Sequence, residues 1–160
     1  MILAGVLALA AVNWTIAARE QLLADGRVVL LALAPVDPRS LMQGDYMALR
    51  FEVANAAFAR NMTAESSDGH IVVNVSDDGV AAFRRFDDGT PLAPDEARLR
   101  YRIRGGAPRF ATNAYFFEEG RAQEYANARF GELRVAADGE AILTGLRDAQ
   151  RQPLGTSATR

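Results

Sequence analysis

Between Ile2 and Ala18 the chain reads ILAGVLALAAVNWTIAA, without a charge and with only Asn13 and Thr15 notably polar. A helix apolar on every side has no stripe to turn toward a core of its own and is buried in a larger apolar body or a bilayer. These 17 residues, at about 1.5 Å each, reach roughly 26 Å, the short end of a hydrocarbon span. The pattern predicts a transmembrane anchor. Trp14 sits at the headgroup level, the helix continues through Arg19 to Ala24, and Asp25-Gly26 ends it. Two other readings compete. A cleaved signal peptide has a small-x-small site in Thr15-Ile16-Ala17 but lacks the basic segment ahead of it. A buried helix of a soluble fold lacks its polar stripe.

From Arg27 the period changes. Arg27 to Val36 is a near-continuous apolar run, as in a strand covered on both faces, and Pro35 ends it. Tyr46 to Val53 alternates Tyr, Ala, Arg and Glu with Met, Leu, Phe and Val, which predicts a half-buried strand. Ala54 to Ala64, with Phe58 and Met62 four apart, predicts a short helix. Ile71–Val75 and Val80–Phe86 flank the turn Ser76–Gly79 and predict a hairpin. Ala97 to Arg104 alternates strictly, and Gly105-Gly106-Ala107-Pro108 breaks it. A short aromatic strand over Ala114–Phe117, a second helix over Glu118–Ala128 and a second hairpin (131–135 with 141–146) complete the reading. The expected architecture is α+β. An N-terminal transmembrane helix (residues 1–24) leads into a small, mostly antiparallel β-rich domain (residues 27–148) with two short helices and seven or eight strands. Residues 149–160 are expected to fray.

Composition narrows the chemistry. The 160 residues suit one domain. Eighteen basic and 20 acidic residues give a net charge of −2, too near neutral for a nucleic-acid binder. Every basic residue is Arg, so no Lys amine serves as a base or Schiff-base former. Without Cys there is no thiolate nucleophile or disulfide, and His70 alone leaves little for a His-ligated metal. Neither a cofactor nor a metal is expected. Asp77-Asp78 and Asp87-Asp88 lack the spacing of a calcium loop and read as turns. A triad at His70 would need an acid and an oxyanion hole, and neither is legible.

The segment Gly44-Asp45-Tyr46-Met47-Ala48-Leu49-Arg50-Phe51 resembles the signature of a bacterial family named after it, GDYXXLXY. Phe51 stands where the signature has its last Tyr. Tyr115–Gly120 and Gly131–Val135 are similar to the family as well. The resemblance implies a small membrane-anchored protein of unassigned function, often encoded beside multi-span membrane proteins. It brings no catalytic residues. It places the chain in the bacterial inner (cytoplasmic) membrane as a single-pass protein, with its domain on the periplasmic side. From the residues alone, Gly44 is suited to a tight turn and Asp45 to accepting backbone N–H groups there. Tyr46 faces opposite to Leu49 and Phe51. That is the makeup of a turn and a core, and equally of a contact surface at Asp45 and Tyr46.

One rival carries chemistry. Leu-x-x-Gly-Asp before a strand also occurs in membrane-anchored Ser/Lys peptidases, but Ser40 is at the wrong offset and the chain has no Lys. That reading is rejected. Arg98, Arg100, Arg102 and Arg104 fall on one strand face at steps of roughly 6.6 Å. Such a row either meets an acidic partner or is offset by carboxylates of neighbouring strands, for which Asp87, Asp88, Glu118, Glu119 and Glu132 are at hand. The expected function is therefore a non-enzymatic, membrane-anchored accessory or assembly subunit. Residues 2–18 would sit in the lipid bilayer, and the Arg98–Arg104 face would dock on a multi-span membrane protein. The alternative is a tethered periplasmic binding module for an envelope ligand near Gly44, Asp45, Tyr46, Leu49 and Phe51.

Overall fold

The computed structural model describes residues 2–34, 42–43, 46–58 and 67–155. In chain order its elements are α1 (Ile2–Asp25), β1 (Arg27–Ala32), β2 (Met42–Gln43), β3 (Tyr46–Ala48), α2 (Glu52–Phe58), β4 (Gly69–Val75) and β5 (Val80–Phe86). Then come β6 (Glu96–Arg104), β7 (Ala107–Phe110), β8 (Ala114–Phe116), a 3₁₀ turn (Ala122–Tyr125), β9 (Phe130–Val135), β10 (Ala141–Arg147) and β11 (Pro153–Leu154).

The apolar run after Arg27 becomes a central strand. β1 lies between β9 and β5 in an eight-stranded sheet of order β11-β10-β9-β1-β5-β4-β6-β7. Its pairing with β5, Leu30 opposite Val80, is parallel, and the other neighbours are antiparallel. A second sheet, β2-β3-β8, carries the motif strand β3. Val29, Leu31, Ile71, Val73, Leu99 and Leu133 point to one face and are buried under Met47, Leu49, Phe51 and Phe58, which β3, its continuation and α2 supply. The domain is thus β-rich, as its alternating runs predict.

The anchor is corrected. Among the described residues no helix is long and apolar enough to cross a membrane. Residues 2–25 do form one helix, but it runs through Arg19, Glu20 and Asp25. Its charge-free stretch ends at Ala18, and three charged residues follow within the same helix. The fold class expected from the sequence is overturned on this point. With it goes the single-pass inner-membrane location, and the bilayer contact through residues 2–18 loses its basis. α1 meets the domain at its C-terminal end. There Gly26 N–H donates to Leu22 O (3.0 Å), and Arg134 Nη1 donates to Gly26 O (3.1 Å).

Smaller departures have local causes. The expected break after Arg104 is a two-residue turn in which Gly105 and Gly106 both take left-handed φ, +59° and +73°, which suits a tight hairpin. It leads into β7, whose Pro108 is tolerated because β7 is an edge strand. The helix expected at 118–128 shrinks to the 3₁₀ turn, because Gly120 takes a φ of +82° just before it. The helix expected at 54–64 starts earlier, at Glu52, and is described to Phe58; residues 59–64 lie outside the described residues. The tail does not fray at once. Asp148 accepts the N–H groups of Gln150 (2.9 Å) and Gln152 (2.8 Å), which turns the chain so that β11 pairs with β10, Leu154 opposite Leu146.

The two sheets are joined where the motif ends. Leu33 and Phe51 form an isolated antiparallel bridge, and the Phe51 ring lies directly over the backbone of Gly131 in β9. A Cβ on Gly131 would come within 2.8 Å of Phe51 Cε1 and 3.1 Å of Leu143 Cδ1. Gly131→Ala is therefore expected to destabilise the fold by about 1–3 kcal/mol through overpacking, measured as a shift of the urea unfolding midpoint. An unchanged midpoint would show that the ring is not seated on this glycine.

Candidate functional site

Tyr46, Leu49 and Phe51 of the motif are within the described residues; Gly44 and Asp45 lie outside them. The alternation read from the sequence persists in burial. Met47, Leu49, Phe51 and Val53 are buried, while Tyr46 and Ala48 are half-buried. The strand itself is shorter than expected, because α2 begins at Glu52. Tyr46 pairs across strands with Phe116, their rings 5.8 Å apart. Leu49 N–H donates to Asn113 O (2.8 Å), so the motif is tied to the segment that follows β7.

That tie shapes a cleft. Leu49 and Phe51 form its floor with Phe58 of α2 and Phe110 of β7, and the hairpin of β6 and β7 closes its far side. Its volume is about 690 Å³, within the range of small-molecule sites, and its apolar floor with few polar groups is of the same kind. Phe58 and Phe110 are fixed from behind by Tyr101, at ring distances of 4.9 and 6.3 Å. Two aromatic groups of the floor are therefore braced by a third. A second groove, about 510 Å³, runs where the end of α1 meets the domain and includes Leu22, Arg27, Arg98 and Val135.

The arginine row is brought together on one face and is paired there with three carboxylates. Arg98 Nε donates to Asp87 (2.6 Å), Arg104 pairs with Asp68 (3.0 Å), and Arg100 and Arg102 share Glu140, the latter at 3.0 Å. Asp87 was among the carboxylates at hand in the sequence; Asp68 and Glu140 were not. Glu140 follows the tip of the β9–β10 hairpin, where Gly139 O accepts Arg100 N–H (2.8 Å). Glu118 and Glu132 go instead to Arg121 and Arg147. The Arg98 hydrogen bond holds Asp87 below the usual carboxylate range. Asp68 is lowered by the Ile103 N–H and then by Arg104.

The other carboxylates singled out in the sequence serve turns. Asp78 accepts the Ser76 hydroxyl and pairs with Arg151 (2.6 Å), and Asp88 accepts Thr90 N–H (3.0 Å). Sequence reasoning missed Glu96, the one buried charged residue among those described. It takes Arg84 Nε (2.9 Å), Arg85 Nη2 (3.3 Å) and Ala93 N–H (3.0 Å). It also missed the cleft residues of β7. The Gly105-Gly106 pair after an alternating strand was a usable hairpin signal. Nothing local in the sequence says that this hairpin comes to rest against the motif.

Behind the motif strand, Tyr115 of β8 stands opposite Met47. Burial, then hydrogen bonding to Tyr125, pushes its phenol up to about 12. A folded value above the ordinary value near 10 means that the neutral phenol stabilises the fold. That stability is intact below about pH 10 and is lost as pH rises through the folded value. Urea midpoints measured from pH 8 upward are expected to fall above about pH 10, and Tyr115→Phe is expected to blunt the fall. An identical alkaline limb in the variant would refute the assignment.

The family model described as GDYXXLXY protein matches residues 8–146. No curated protein and no solved structure matches the chain significantly.

Proposed function

The chain belongs to the GDYXXLXY family, and we propose that its domain is a non-catalytic binding module that holds a ligand in the cleft beside the motif. One observation carries this reading. The motif's Leu49 and Phe51, together with Phe58 and Phe110, line a cleft of about 690 Å³. A floor so apolar recovers hydrophobic free energy when a ligand displaces its water. The non-catalytic character rests on what the chain has to offer. It contains no Cys and no Lys, and its single histidine, His70 on β4, is outside the cleft lining.

A second reading is an accessory or assembly subunit docked on a multi-span membrane protein. It is favoured by α1, where Leu9, Val12, Trp14 and Ile16 are exposed, Trp14 to 79%. An apolar surface of that kind calls for cover. The arginine row lends this reading less support, since each guanidinium already has a carboxylate.

The two readings separate with the full-length protein. A neutral apolar fluorophore, N-phenyl-1-naphthylamine, is expected to bind at one dominant site. Ala107→Trp, a change at an exposed position lining the cleft, is expected to weaken it about tenfold or more by filling the space. Equal binding to the variant would sink the binding-module reading. For the subunit reading, the decisive result is stoichiometric recovery of a multi-span protein with the tagged chain; recovery of the chain alone counts against it.

A further inference from the structure

We propose that the cleft takes a single apolar chain ending in a carboxylate, with Arg50 and Arg109 receiving the head; this rests on the binding-module reading above. The argument starts from charge. Among the described residues most arginines are matched by a carboxylate or, like Arg27 and Arg134, by backbone carbonyls. Arg50 and Arg109 are two that make no ion pair or side-chain hydrogen bond there, and both are exposed and both line this cleft. No Asp or Glu stands among its described lining residues, although the chain has more acidic than basic residues. The groove beside α1 is the opposite case, since Arg27 and Arg98 are accompanied by Asp25 and Glu96. An aromatic and aliphatic floor with two uncompensated guanidinium groups is complementary to an amphiphile with an anionic end.

The form of the head follows from what else is present. A guanidinium fork matches the two oxygens of a carboxylate. A phosphate dianion presents a third acceptor oxygen, which would want a further donor. The hydroxyl of Thr112, also in the lining, already donates to Ala114 O (3.0 Å). A peptide is disfavoured by the edge it would have to use. β7 ends the sheet, and Pro108 removes a backbone donor from it, which works against an added strand. The floor also suits a chain without hydrogen-bonding groups, since Leu49, Phe51, Phe58 and Phe110 offer it only carbon.

The test is a calorimetric titration of the full-length protein with dodecanoate, dodecanol and dodecyl phosphate, each below its own aggregation concentration. Dodecanoate is expected to bind at least about tenfold more tightly than dodecanol. Arg50→Gln and Arg109→Gln, both at exposed positions, are each expected to remove about tenfold of that preference. The preference is also expected to shrink as ionic strength rises from about 0.02 to 0.5 M, because the head contacts are solvent-facing. Ala107→Trp is expected to weaken all three. Equal binding of dodecanoate and dodecanol, both lost in Ala107→Trp, would overturn the carboxylate assignment and leave the binding module standing. Tighter binding of dodecyl phosphate than of dodecanoate would likewise overturn the choice of head. Binding of none of the three, or binding untouched by Ala107→Trp, would overturn both.

Discussion

The arrangement depends on one close approach, the Phe51 ring lying on the bare backbone of Gly131. The small sheet that carries the motif and the large sheet that carries most of the core share few direct ladder contacts. The bridge between Leu33 and Phe51 is one, and the ring on Gly131 is the packing that makes it firm. With that ring in place, Leu49 turns into the core and reaches Asn113 through its backbone, and the start of α2 is fixed at Glu52. The cleft follows as the space left between these elements and the β6–β7 hairpin. The last aromatic position of the motif therefore acts through its ring. Phe51 fills that role without a hydroxyl.

Electrostatics divides the surface in two. Over the outer face of β6 the charges are compensated at short range. Three carboxylates from separate parts of the chain, Asp68, Asp87 and Glu140, meet the four arginines of one strand. Exposed pairs of this kind contribute little stability each, but together they give every arginine of the row a carboxylate contact. Around the cleft the compensation stops, and Arg50 and Arg109 remain. The contrast is what the proposed binding module builds on: guanidinium groups without a carboxylate partner at the cleft, and paired ones along the longer and more conspicuous row.

Much of this was legible in the sequence, and the rest was hidden for identifiable reasons. Period-two alternation marked β6 and the facing of residues 46–53. The two hairpins at Ser76–Gly79 and Ala137–Gly139 followed from their Asp-Gly turns, and the apolar run after Arg27 announced a strand. The family was readable from Gly44 to Phe51. Distance in sequence hid what remained. Glu140 beneath Arg100 and Arg102, and the hairpin of β7 against the motif, are pairings across tens of residues that no local pattern encodes. The N-terminal helix was read correctly as a helix and wrongly as a span. Its lack of a polar stripe points to a bilayer, and its charged end at Arg19, Glu20 and Asp25 does not.

The most direct measurement is a map of backbone amide shifts in the isotope-labelled full-length protein as dodecanoate is added. If the cleft is the ligand site, the shifts will cluster at residues 48–58 and 106–113, on both walls of the cleft. Shifts confined to α1 or to the outer face of β6, with those two segments silent, would contradict it.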